Sequence, residues 1–382
     1  MSSRLLNLPG GSARLVAGPA PQATGNWSRT AYAAAHVVTD PLVECDPWIK
    51  SPVDWDRTLA FREHLWSLGF GVAEAMDTAQ RGMGLSWETS LELIQRSTAL
   101  AKAGGHLIAS GAGTDHLAPG PDVTLNDVIR AYEDQCEAVE ATGSRVILMA
   151  SRALARAATS PDDYAKVYGR VLSGLQQPAI LHWLGEAFDP ALTGYWGNAD
   201  HMAAMDTAVA VIEANAAKVD GIKISLLSAE KEIAMRRRLP EGVRMYTGDD
   251  FNYPALIAGD EHGYSHALLG IFDPIAGAAA RALSQLAAGD LDGYNATFAP
   301  TVPLSRHIFK APTRFYKTGV VFMAYLTGHQ DHFLMINGQE STRSTQHLAE
   351  IIRLANAAGL FSDPDLAAAR ARAVFAVRGV EL

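Results

Sequence analysis

Residues 219–227 read VDGIKISLL and set one lysine, Lys223, inside an otherwise apolar run. Lysine is rarely buried without something to compensate its charge. Either the stem packs and the ammonium reaches water, or the amine is held among apolar walls. Apolar walls favour the neutral amine, because desolvation penalises the ammonium. A neutral lysine amine attacks a carbonyl carbon and forms a Schiff base. The protonated imine then draws electrons from a neighbouring C–C or C–O bond and lets it break. Strand alternation chooses between the two positions. Ile222, Ile224 and Leu226 share one face; Gly221, Lys223 and Ser225 share the other. If the bulky face packs on helices, Lys223 points inward between small neighbours. A phase error of one residue would reverse this.

Other polar residues fall at the ends of similar apolar runs. His182 lies inside PAILHWLG. Its unperturbed pKa, near ~6.5, suits general acid–base work, and a hydrogen-bonded structural histidine is the plain alternative. The segment MDTAQRG carries Asp77 and Thr78, and TGDD carries Thr247, Asp249 and Asp250. Ser151 and Arg152 follow a fourth run, and Ser265 and His266 lie in an eighth. Arg152 can hold a carboxylate in its planar fork, or be a surface arginine. Loops are polar for ordinary reasons, and that alone accounts for Asp77 and Asp250.

Eight strand-like runs must position these groups: AYAAAHVV, GFGVAEAM, HLIASGAG, RVILMAS, PAILHWLG, VDGIKISLL, VRMYTGDD and YSHALLG. Amphipathic stretches separate them. One runs from Ser86 to a Gly-Gly stop; another starts at Thr124 with Asp127 three residues on and stops at Gly143. Strands alternating with helices specify an α/β fold with a parallel sheet, and eight of them match a (β/α)8 TIM barrel. A doubly wound open sheet is the runner-up, but HVVTDPLVECDP lacks its glycine-rich phosphate loop. Before the barrel, LLNLPGGSARLVAG reads as a hairpin about Pro-Gly-Gly-Ser. After Asp273 the pattern is helical. The expected organisation is an N-terminal hairpin segment (1–29), a barrel (30–290) and a C-terminal helical extension (291–382).

Composition narrows the function classes. Hydrophobic content of 48% with 19% charged residues describes a globular chain, not a disordered one. A net charge of -9 with no basic stripe argues against nucleic acid as a partner. No apolar run is long enough to span a bilayer, and the N-terminus has no continuous apolar core of the signal-peptide kind. Cys45 and Cys136 are far apart and form neither a metal cluster nor a disulfide framework, which suits the cytoplasm.

DGIKISLL, then MYTGDD, then AGDEHGYSHALLGIFDP resemble the second half of the dihydrodipicolinate synthase and N-acetylneuraminate lyase superfamily. AHVVTDPL, MDTAQRGMGLSWE and FYKTGVVFMAYLTG are similar to its first strand, its threonine segment and its C-terminal lysine-containing helix. The resemblance spans about residues 30–330. It implies a class I aldolase, lyase or dehydratase that takes a small-molecule carbonyl substrate, a 2-oxo acid or sugar-derived carbonyl. It implies no cofactor, names no metal ligand, and suggests a homo-oligomer, dimer or tetramer. It makes Lys223 the imine-forming lysine and Thr78 a residue that seats the substrate carboxylate and relays protons. Asp77 stands where the family has another threonine. The family's strand-four tyrosine is missing, since this chain has MASRALARAATS there. His182 is the expected replacement for proton transfer. Asp77, Arg152, Ser225, Thr247, Asp249 and His266 complete the expected substrate-binding set with Thr78.

Two other functions are open. A metal-dependent barrel, a sugar isomerase or class II aldolase, would use His182, Asp249, His266 and Asp77, although no His-x-x-x-His pair supports it. A non-catalytic small-molecule-binding barrel is the third.

Overall fold

The computed structural model describes residues 4–20, 26–46 and 49–382. Residues 1–3 and 21–25 of the N-terminal segment lie outside the described residues. Two short strands, β1 (Leu5–Leu6) and β2 (Ala13–Arg14), pair antiparallel as the hairpin. The eight apolar runs then become β3 (Ala31–Ala34), β4 (Gly71–Glu74), β5 (Ile108–Ala112), β6 (Arg145–Met149), β7 (Ala179–Leu184), β8 (Val219–Ser225), β9 (Arg244–Thr247) and β10 (His266–Leu269). They close into a barrel in sequence order, with β10 pairing back to β3. Every barrel pairing is parallel, so each connection must cross over, and helices make the crossings.

Alternation divides each strand between two cores. Tyr32, Ala34, Ala73, Ala109, Ile147, Ile180, Tyr246 and Leu268 fill the barrel interior. Ile222 and Ile224 belong instead to the larger core between strands and helices. Lys223 therefore points inward. Its register partners are His182 on β7 and Tyr246 on β9.

The helix grammar is local and holds. The helix Trp87–Gly104 starts from the Ser86 hydroxyl, which accepts the Thr89 amide, and stops at Gly105 with φ 65°. The helix Leu125–Thr142 has the reciprocal Thr124–Asp127 capping box and stops at Gly143 with φ 84°.

After β10 come the helices Ala276–Ala287, Leu291–Phe298, Thr301–Ile308, Tyr316–Leu326, Thr345–Ala357 and Pro364–Val377. The helix Tyr316–Leu326 is buried along its whole length. Its apolar run VVFMAYL is thus covered by this chain's own barrel and helices, as an all-round apolar helix requires. Among the described residues no helix is long and apolar enough to cross a membrane.

Candidate active site

Lys223 is 7% exposed, and its amine reaches a small cavity at the C-terminal mouth of the barrel. Asp77, Thr78, Ser225, Asp250 and Tyr316 share that cavity. Burial lowers the pKa of the amine, while the charges of Asp250 and Asp77 oppose the shift. The glycine of TGDD makes room for the lysine stem. A Cβ on Gly248 would stand 2.7 Å from Lys223 Cε and 2.4 Å from Ser225 Oγ.

Asp77 and Thr78 are set by an anchored turn after β4. Glu74 faces the helix layer, where the Arg62 guanidinium donates to both its oxygens at 2.8 and 2.9 Å. Glu74 also accepts the Ala75 amide at 2.8 Å. Ala75 itself is held at φ 51°, a costly conformation for a residue with a Cβ. A buried ion pair thus fixes a strained turn at the point where the chain enters the site.

Thr78 Oγ1 and the Tyr316 hydroxyl are 2.8 Å apart. Tyr316 comes from the start of the long buried helix after the barrel. Phe309 stacks on its ring at 4.4 Å, and Phe188 meets it edge-on at 5.9 Å. Burial pushes the phenol well above its ordinary pKa, and the Asp77, Asp250 and Asp273 charges push the same way. Sequence reasoning missed Tyr316, because nothing near β6 or in the strand pattern points to it.

Asp250 is the second residue missed, having been read as loop polarity. It is 4% exposed, and its Oδ1 accepts the Ile271 amide at 2.9 Å. Burial pushes its carboxyl up to about 7, against the pull of the Lys223 charge. Lys317 follows Tyr316 on the same helix but borders neither the small cavity nor the larger one that His182 lines; its ammonium donates to the Arg314 carbonyl at 3.2 Å and to Met83 Sδ at 3.4 Å. Burial pushes it down to about 8, with the Asp77 charge opposing.

His182 is buried beside Lys223, with Nε2 3.3 Å from Ser225 Oγ. Burial, and then the Lys223 charge, hold its pKa well below the ordinary value. It stays neutral at pH 7. His182 lines a larger cavity of about 430 Å³ together with Asp77, Ser151, Arg152, Asp189 and Trp87. Asp77 and Leu184 border both cavities. Arg152 pairs through Nε with Asp189.

Three expected residues lie elsewhere. Thr247 is the last residue of β9 and faces the helix layer, where its Oγ1 accepts the Asp249 amide at 3.2 Å. Asp249 accepts the Phe251 and Asn252 amides and the Asn252 side chain, closing the turn into the helix Tyr253–Ala258. The strand ends at Thr247, so alternation stops there and the second aspartate, not the first, turns to Lys223. His266 is the first residue of β10 and accepts the Thr30 amide at 2.8 Å, at the opposite end of the barrel. His182, Asp77, Asp249 and His266 therefore do not converge. Among the described residues no group of three or more His, Cys, Asp or Glu is placed to hold a metal ion.

Comparison with known proteins agrees with this architecture. No curated protein matches the chain. Among solved structures, YagE, a prophage protein of the dihydrodipicolinic acid synthase family from E. coli K12 in complex with pyruvate, superposes with a TM-score of 0.67 at 12% identity. The match covers 87% of this chain and 99% of that one. The chloride-inhibited dihydrodipicolinate synthase from Acinetobacter baumannii, complexed with pyruvate, gives 0.64 at 15% identity over 87% and 99% of the two chains. A monomeric dihydrodipicolinate synthase variant gives 0.65 at 13% identity over 87% and 97%. At such identities the likeness speaks for the fold. The profile of the family described as "Protein of unknown function (DUF993)" matches residues 13–380. The chain belongs to that DUF993 family, and it is built on the barrel fold of the dihydrodipicolinate synthases.

Proposed function

We propose that the protein is a Schiff-base lyase of the aldolase or dehydratase type, acting on a 2-oxo acid or sugar-derived carbonyl through Lys223. The observation that carries the proposal is the buried amine of Lys223 in one cavity with the Thr78–Tyr316 pair. A desolvated amine among polar hydroxyls has the setting that carbonyl addition requires. The two pyruvate complexes among the similar folds support a 2-oxo acid as the reacting group.

In this reading the amine adds to the substrate carbonyl, water leaves, and the iminium accepts the electrons of the breaking bond. Tyr316 and Thr78 pass protons at the reacting carbon and oxygen. Tyr316 thereby takes the part that the resembling superfamily gives to a strand-four tyrosine. The rest of the substrate extends past Asp77 and Leu184 into the larger cavity, where Arg152 meets an anionic group. The same reading carries a dimer or tetramer in solution, which light scattering checks.

The test is borohydride reduction in the presence of a panel of 2-oxo acids, pyruvate included, followed by peptide mass spectrometry. The expected result is a reduced adduct on Lys223, absent from Lys223→Ala. Turnover of some substrate with no adduct on Lys223 would sink the imine mechanism.

A further inference from the structure

We propose that Asp250 is the acid that carries the proton for imine formation at Lys223, the two side chains working as one net-neutral pair. This rests on the lyase reading above and names a catalytic residue for it.

Asp250 and Lys223 line the same small cavity, and each is felt as a charge by the other. The Ile271 amide holds one carboxyl oxygen at 2.9 Å and orients the group. The charged and titratable groups around Asp250 are Lys223 on β8, Asp249 in its own loop, and Tyr253 and Tyr316 on the flanking helices. Lys223 is the cation among them. Asp77 lines the same cavity and acts on Lys223 and Tyr316.

Chemistry then selects Asp250. Imine formation needs a free amine and an acid together. The ammonium–carboxylate pair and the amine–carboxylic acid pair hold the same number of protons. One transfer across the shared cavity, through a single bridging water, therefore gives both reactants. The amine nitrogen adds to the carbonyl carbon as the Asp250 carboxylic acid protonates the carbonyl oxygen. The Asp250 carboxylate next takes a proton from the new ammonium and leaves a neutral carbinolamine. Asp250 then protonates the hydroxyl, the C–O bond breaks, and water departs. An iminium faces a carboxylate, and no proton has come from outside. The other candidates fit less well. His182 is held neutral and turned to Ser225. The Tyr316 phenol is too weak an acid to supply a proton, although it can relay one. The Asp250 carboxyl, at about 7, is matched to neutral pH.

The experiment follows the time course of reductive trapping on Lys223 with pyruvate and cyanoborohydride, across pH, in wild type and Asp250→Asn. Asparagine keeps an oxygen for the Ile271 amide but has no acidic proton. The expected result is trapping slowed roughly 100-fold in the variant. In wild type the rate falls on the alkaline side as the pair loses its shared proton, and this fall is missing in Asp250→Asn. Equal rates and profiles in the two proteins would overturn the Asp250 assignment and leave the lyase reading standing. No Lys223 adduct in wild type with pyruvate or any other 2-oxo acid overturns both. If Asp250→Asn melts early, the wild-type profile alone decides: a rate that keeps rising through alkaline pH overturns the proposal.

Discussion

Thr78 and Tyr316 stand 238 residues apart in the sequence and 2.8 Å apart, oxygen to oxygen, in the wall of the cavity that holds Lys223. The barrel contributes one partner and the helices after it contribute the other. The site is therefore incomplete without the C-terminal helices. Tyr316→Phe keeps the ring stacked on Phe309 and removes only the hydroxyl. It should cost about 1 kcal/mol in stability and lower kcat by roughly 100-fold or more. If the pair acts as a unit, adding Thr78→Val to Tyr316→Phe should cost little further activity. Steady-state kinetics of the two single variants and the double variant, beside their melting curves, make the check.

Gly248 is where the backbone of the β9 loop passes the lysine. A Cβ there would meet the Ile224 carbonyl at 2.6 Å and Lys223 Cε at 2.7 Å. The carbonyl belongs to the barrel wall and cannot swing aside, so the loop or the lysine must shift. Gly248→Ala should destabilise the fold by about 1–3 kcal/mol and reduce borohydride trapping on Lys223 in the fraction that remains folded. Normal trapping in a fully stable variant would show that the loop has slack.

How much of this was legible in the sequence follows the range of the physics involved. The inward turn of Lys223 was legible because β8 is a regular strand over Val219–Ser225, with Ile222 and Ile224 marking its outer face. Helix caps at Ser86 and Thr124 were legible because they are local hydrogen bonds. Asp249 and Asp250 were told apart wrongly because the period of two ends with the strand at Thr247, and turn geometry decides the rest. His266 was misplaced because its end of the barrel depends on where β10 begins. Tyr316 was not legible at all. Its helix is buried on every side, so no polar face marks the residue that meets the barrel mouth.

Glu232 makes a stability prediction away from the mouth. Its carboxyl is buried, accepts the Ser265 hydroxyl at 2.7 Å and lies near Thr247, Asp249 and Arg236. Burial first, and the Asp249 charge with it, push it up to about 8, from an ordinary 4.5. Below the lower value both folded and unfolded chains hold the proton, and pH has no effect through this group. Between the two values the unfolded chain releases the proton and the folded chain keeps it. Stability therefore falls as pH rises through the window and levels off above about 8. Glu232→Gln removes that slope. Its stability relative to wild type should grow with pH by up to about 1.4 kcal/mol per unit across the window. Urea denaturation of both proteins at a series of pH values measures it, and parallel curves would contradict it.

In the proposed lyase, Arg152 should separate binding from chemistry. It borders the larger cavity, away from the cavity that Lys223 reaches. Asp189 holds its Nε, which leaves the outer fork of the guanidinium toward Gly82, where a Cβ would come within 3.2 Å of Nη1. Under the proposed function, a group so placed would contact the distal part of the substrate equally in the ground state and the transition state. Removing it should weaken both alike. A charge-assisted hydrogen bond at a half-exposed arginine is worth about 1.5 kcal/mol, so Arg152→Ala should raise KM roughly tenfold with kcat nearly unchanged. Arg152→Lys should not restore it, because a point charge does not reproduce the planar fork. Pyruvate, which has no distal group, should be trapped on Lys223 equally well by wild type and Arg152→Ala. A fall in kcat with KM unchanged would instead place Arg152 at the reacting centre.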